Sequence, residues 1–331
     1  MALRLLMIWL MRISGLLPLT QISLALVLLV AFGRAQVTEP EQAPSRPPAS
    51  SVSIQFTNGR ETSFPVQISD ELLFEVRINN NPRPVFFSID SGSGSTYLDT
   101  QSAKQLGLSP SGTGSVHGAG SGPVPVQHLQ NVRFRLPGLT TIHPEINTTD
   151  LGNTQIGGHK LDGFFGFDFI RQFVVTIDYD AERVTLSGPA QFLYSGKGQL
   201  LPIEFHGKWP FIPGVVKVPG VPPAQSLFLV DSGSGDAVNH PLIKKSRGRL
   251  TPTRTGVGLG TAEPGVIGRI EYVQFGNLIL RDAPAVCCGG VEEFKTFGQI
   301  GTDALKRFKV IFDYARSRII LEPGRMYSVP F

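Results

Sequence analysis

The chain has 331 residues, 41% of them hydrophobic, with 37 glycines and 26 prolines. That is enough for two lobes of roughly 100–150 residues, too apolar for a disordered chain, and turn-rich in the manner of an all-β body. The formal charge of +4 falls to +1 once Arg4, Arg12 and Arg34 of an expected leader are set aside. This leaves no electrostatic case for nucleic acid, and short basic clusters such as Lys244-Lys245-Ser246-Arg247 read as solvated faces.

Arg4 and Arg12 precede the apolar run 22–32, and Gly33-Arg34-Ala35 puts small residues at the −3 and −1 positions of a cleavage site after Ala35. Residues 1–35 thus have the layout of a secretory signal peptide. The alternative is an uncleaved membrane anchor. Residues 3–10, Arg4 apart, are also apolar, but Pro18, Thr20 and Gln21 interrupt a span that would need about 20 residues. Either way the body is expected to be exported, periplasmic or secreted, touching the inner membrane only through an uncleaved leader. Residues 36–51, with Pro40, Pro44, Pro47 and Pro48, read as a flexible linker.

The body then begins with alternating strands. Residues 72–78 form one, Asn79-Asn80-Asn81-Pro82 turns it, and the apolar run 85–89 delivers Asp90 into Ser91-Gly92-Ser93-Gly94. A short helix over 101–106 follows, capped by Asp99 or Thr100, with Gly107 at its C′ position. Next comes the glycine-rich hairpin Val116-His117-Gly118-Ala119-Gly120-Ser121-Gly122. Gly163-Phe164-Phe165-Gly166 then enters a second short helix, capped by Asp168, and two strands joined at a turn-forming Asp178-Tyr179.

All of this recurs. Residues 215–218 turn at Pro219-Gly220, and the run 227–230 delivers Asp231 into Ser232-Gly233-Ser234-Gly235, 141 positions after Asp90. Pro241 opens a helix behind Asn239 or His240, and Gly256-Val257-Gly258-Leu259-Gly260 makes a second glycine-rich hairpin. Gly298-Gln299-Ile300-Gly301 lies 135 positions after its counterpart, with Thr302 or Asp303 as cap and a turn at Asp313-Tyr314. The duplication predicts lobes over 52–188 and 200–323, a linker over 189–199 and a tail over 324–331. Two matching corners can bring Asp90 and Asp231 together as one pair of carboxylates.

Other chemistries fit poorly. The glycine-rich corners lack the Gly-Lys-Ser/Thr of a phosphate loop, and no serine has glycine at both −2 and +2. The six histidines (117, 128, 143, 159, 206 and 240) show no ligand spacing, so no metal is expected, and they read as surface or satisfied core residues. The only cysteines, Cys287 and Cys288, are adjacent. Such a pair rarely bridges, and it reads as two small residues on a buried strand.

Ile89-Asp90-Ser91-Gly92-Ser93 and Val230-Asp231-Ser232-Gly233-Ser234, each paired with its downstream segment, Phe164-Phe165-Gly166 or Gln299-Ile300-Gly301, carry a family resemblance. Over nearly all of residues 52–323 the chain resembles the pepsin-like and retropepsin-like aspartic peptidases, in particular bacterial exported members with both lobes in one chain. The resemblance implies an all-β, two-lobed acid protease fold with a few short helices. It implies a catalytic dyad of Asp90 and Asp231 sharing one proton, and a protein or peptide substrate. It implies a monomer with no cofactor and no metal. In that family Ser91 and Ser232 lock the two corner loops together, Gly92 and Gly233 let them approach, and Ser93 and Ser234 can donate to the carboxylates. Such donors would give an acidic optimum. His117, Gly118, Ala119 and Gly120 fall at the tip of the implied flap, where His117 is the nearest counterpart of the tyrosine in pepsin-type flaps. The alternative is a non-catalytic protein that holds peptide or carbohydrate in the same cleft.

Overall fold

The computed structural model describes residues 51–256, 259–287 and 296–331. The expected leader, nearly all of the linker, Val257, Gly258 and Cys288 lie outside the described residues.

Alternation builds the first half. In Leu72–Ile78, Phe74, Val76 and Ile78 are buried while Glu75 and Arg77 are exposed. Asn79 takes a positive φ of 52°, which asparagine tolerates. The chain then returns as Pro84–Ile89, antiparallel, with Phe74 opposite Phe87. Val85, Phe87 and Ile89 face the core, so the period of two puts Ser88 and Asp90 on the other face. The second half repeats the hairpin with Trp209–Lys217 and Ala224–Val230. Among the described residues, a nine-stranded sheet is drawn from residues 53–165 and a ten-stranded sheet from 204–300.

A third sheet joins the halves. Its order is Gln199–Pro202, Arg318–Pro323, Phe308–Asp313, Val174–Asp178, Arg183–Ser187 and Glu61–Pro65. At its centre Thr176 pairs with Ile311, its own counterpart in the 135-residue repeat. The approximate two-fold axis of the duplication therefore passes through that pair. One apolar cluster runs from Phe64 to Leu321 and draws on both halves. The fold is the expected all-β, two-lobed one.

Three local expectations need correction. The helices Phe167–Ile170 and Thr302–Leu305 are capped by Gly166 and Gly301 without any side-chain bond. Asp168 instead accepts from the Thr96 hydroxyl at 2.7 Å, and the Thr302 hydroxyl donates to the Ser232 carbonyl at 3.0 Å. Asp313 is more than a turn former: it is fully buried, with Arg318 Nε at 2.8 Å and Arg316 Nη1 at 3.1 Å. Cys287 is buried at the end of the strand Pro284–Cys287, as expected, but it is disulfide-bonded, against the expectation of unbridged thiols.

Phe165 is the hub of the first half. It is fully buried, with ring centroids of Phe169 at 4.0 Å, Phe87 and Phe134 at 5.0 Å, and His143 at 6.3 Å. Phe165→Ala should cost about 3–5 kcal/mol. Chemical denaturation of the variant against the parent measures this directly.

Candidate active site

Each corner is built in the same way. The strand Gly163–Phe165 runs parallel to Pro84–Ile89, with Phe165 opposite Ile89, and antiparallel to Tyr97–Asp99. Gly298–Ile300 lies parallel to Ala224–Val230, with Ile300 opposite Val230, and antiparallel to Val238–Asn239. The threading strands hold the aspartates by their backbones: Asp90 N donates to Phe165 O and Asp231 N to Ile300 O, both at 2.9 Å. The short helices close the loops from outside. Phe167 N donates to Ser93 O at 2.9 Å and Thr302 N to Ser234 O at 2.6 Å.

The two corners interlock across the two-fold. Ser91 Oγ donates to Val230 O and Ser232 Oγ to Ile89 O, both at 2.7 Å. Each hydroxyl also accepts from the opposite serine's backbone N–H, at 3.0 and 3.1 Å. Both serines are 1% exposed, so breaking one bond leaves buried groups unpaired. The glycines are sterically required. A Cβ on Gly92 would overlap Asp231 Cγ, and one on Gly233 would overlap Asp90 Cγ. Asp90 and Asp231 therefore lie side by side, each against the opposite loop's glycine.

The carboxylates sit at the floor of a cleft of about 1500 Å³. Its walls include Tyr97, Phe164, Trp209, Leu229 and Gln299. Trp209 Nε1 donates to Gly92 O at 2.9 Å, bracing the first corner from the second half. His117, Gly118, Ala119 and Gly120 also line the cleft. They lie at and beyond the end of the strand Gly112–His117, which is paired with Pro123–Leu136. The second glycine-rich hairpin, between Thr251–Thr255 and Glu263–Arg269, reaches the first. Gly120 N donates to Leu259 O at 2.8 Å, and Ser121 and Thr261 exchange backbone bonds at 3.0 Å. Leu259 packs against an apolar cluster containing Leu73, Tyr97, Leu161 and Phe164. His117 is exposed.

The serines after the glycines do not behave as expected. Ser93 Oγ donates to Ser95 O at 2.9 Å, and Ser234 Oγ accepts from Asp236 N at 3.4 Å. Neither is bonded to a carboxylate, and the basis for an acidic optimum falls with them. Burial raises Asp90 well above the ordinary carboxylate range, and the charges of Asp231 and Glu71 add to this. Burial also raises Asp231, to about 6, against the lowering effect of the Gly233 N–H, which donates to its Oδ1 at 3.0 Å.

Two residues near the pair escaped the sequence reading. Gln299 Nε2 donates to Asp231 Oδ2 at 3.0 Å. Its signal was the 135-residue repeat, in which it stands where the first half has Phe164. Glu71, on the cleft wall, is pushed up to about 8, chiefly by burial and then by the charge of Asp231. Its signal was fainter: Ser88, unlike its counterpart Leu229, is a polar residue in an apolar strand, and its hydroxyl lies 3.5 Å from Glu71 Oε2. A carboxyl whose value is raised on folding stabilises most at low pH and loses that contribution as pH rises through the folded value. Glu71→Gln should therefore flatten the decline in stability between pH 4.5 and pH 8 and add on the order of 2 kcal/mol at pH 8. Denaturation midpoints across that range measure it, and an unchanged slope would contradict the burial argument.

Residues 74–169 match the family model described as Aspartyl protease. No curated protein matches the sequence. Among solved structures, the fold is similar to that of the aspartic proteinase from Irpex lacteus, with a TM-score of 0.53 and 14% sequence identity. That match covers 81% of this chain and 99% of the other. The matched family segment holds the Asp90 corner and its threading strand, and the fold repeats both around Asp231. Residues 74–169 are thus similar to the aspartyl protease family, and the fold as a whole is similar to that of an aspartic proteinase.

Proposed function

We propose that the protein is an exported aspartic endopeptidase in which Asp90 and Asp231 share one proton and activate a water for attack on a peptide bond. The observation that carries this reading is the reciprocal placement of two half-buried carboxylates, each beside the other loop's glycine, at the floor of a cleft. Like charges so close cannot both ionise, so the singly charged pair spans a wide range of pH. Asp231 Oδ1 accepts from the Gly233 N–H, which favours its ionised form, so Asp231 serves as the base. Asp90, raised by burial, carries the proton.

The reaction then follows from the two roles. Asp231 takes a proton from water as its oxygen attacks the carbonyl carbon, while Asp90 gives its proton to the carbonyl oxygen. This yields a neutral gem-diol. Asp231 returns a proton to the amide nitrogen, Asp90 takes one back from a hydroxyl, and the carbon–nitrogen bond breaks. The pair ends as it began, and no covalent intermediate is needed. Sequestration from bulk water strengthens both interactions, which is consistent with hairpins meeting over the cleft.

Export rests on the layout of residues 1–35. N-terminal sequencing of the protein from its native host should read from Gln36, and a chain still beginning at Met1 would favour the anchor.

Asp90→Asn and Asp231→Asn should each lower hydrolysis of a dye-labelled denatured albumin by about 10³-fold or more, with the fold retained. Activity of the parent needs Asp231 ionised and Asp90 protonated. Its kcat/KM should therefore fall as pH drops through about 6 and hold above neutrality. Binding of a statine-type peptide without turnover by the parent would instead support the cleft-binding alternative.

A further inference from the structure

The duplication makes the two corners nearly equivalent: Asp90 with Asp231, Ser91 with Ser232, Gly92 with Gly233, Phe165 with Ile300. A symmetric pair has no preferred side for its single proton. The symmetry is broken at the first apolar position of the threading strands, where one half has Phe164 and the other Gln299. Phe164 stands opposite Ser88 and packs against Tyr97, with ring centroids 5.2 Å apart. Gln299 stands opposite Leu229, two residues before Asp231 on the neighbouring strand. That register puts its side chain on the face that carries the carboxylate, and its amide reaches Asp231 Oδ2 at 3.0 Å.

We propose that Gln299 is a positioning residue that fixes which carboxylate carries the shared proton, holding Asp231 as the ionised base and leaving Asp90 as the acid. This rests on the dyad reading given above. Both oxygens of Asp231 accept from neutral N–H donors, Gly233 on one and Gln299 on the other. Neutral donors to a carboxylate favour its ionised form. Asp90 Oδ1, by contrast, is buried and has no hydrogen-bond partner among the described residues.

The charged surroundings give the amide its weight. Asp231 faces Asp90 across the axis, Glu71 on the first-half wall and Asp236 on its own loop. The phenol of Tyr314 comes from the joining sheet beneath and stays neutral. Asp70, Glu263, Lys208 and Arg254 line the cleft further out. Of these acids, Asp236 disfavours charge on Asp231, while the hydrogen bond between Asp231 and Asp90 favours it. A lysine or arginine at position 299 would favour charge too strongly and hold both carboxylates ionised. An aliphatic residue would leave the proton undirected. A neutral amide donor stabilises charge on one oxygen without adding charge of its own.

The test is the pH dependence of kcat/KM and of kcat on dye-labelled denatured albumin, for the full chain with Gln299→Leu and, as a second shape, Gln299→Met. Loss of one hydrogen bond to a charged oxygen should move the acid limb up by about one pH unit. It should also lower kcat by about tenfold at pH 6, with KM changed less than twofold and the melting temperature unchanged. A matching Phe164→Leu variant, which removes no donor, should leave the acid limb in place. An acid limb that stays at the parental pH in both folded Gln299 variants overturns the proposal while leaving the dyad intact. If Asp90→Asn or Asp231→Asn retains activity, the dyad reading fails, and this inference with it.

Discussion

The structure depends on the crossed bonds of Ser91 and Ser232. Each hydroxyl donates to the carbonyl just before the opposite aspartate and accepts from the opposite serine's amide. Four hydrogen bonds are thus confined to two buried residues, in a setting where an unpaired partner costs about 1–3 kcal/mol. They tie the two corners directly to each other across the two-fold. The joining sheet supplies the coarse alignment, with Thr176 against Ile311 on the two-fold. Bulk is excluded where the carboxylates meet, so Gly92 and Gly233 follow from the same constraint.

Holding two acids side by side is costly, and other titratable groups in the chain are shifted by burial as well. Glu71 adds a third raised acid beside the pair. His143 is fully buried among Phe134, Phe165 and Phe169, and His240 is buried against Phe228; burial holds both imidazoles below their ordinary value, His240 at about 4. The two kinds of group act in opposite directions. The raised acids stabilise at low pH and lose that contribution as pH rises. The lowered histidines stabilise above about 6.5 and lose their contribution as pH falls toward 4. The fold is therefore opposed at both ends of the scale, and the working window of the carboxylate pair overlaps the region where neither penalty is complete. This differs from the acidic setting that the bare Asp-Ser-Gly-Ser pattern suggests.

Much of this was legible in the sequence because duplication turns weak local signals into a strong one. A single Asp-Ser-Gly turn says little. Two of them, each behind an alternating strand and each followed by the same glycine-bounded segment, gave the two-lobed all-β fold and singled out the carboxylates that the structure sets side by side. What failed was the assignment of individual side chains within the repeats. Asp168, Thr302 and Asp303 have capping residue types, but the glycine before each helix already stands at the cap. Ser93 and Ser234 sit where donors belong, but their hydroxyls serve their own loops. Glu71 and Gln299 could be found only as departures from symmetry, because their roles come from contacts between strands remote in sequence. The disulfide at Cys287 ran against a general geometric preference that this chain does not follow.

Two carboxyls that share one proton titrate as one unit. Carbon-13 NMR of the aspartate side-chain carboxyls, assigned with the single Asp→Asn variants, measures this most directly across pH 3–10. One carboxyl of the pair should ionise near pH 6 and the other should stay protonated well above it. Two carboxyls titrating independently in the ordinary range near 4 would contradict a shared proton.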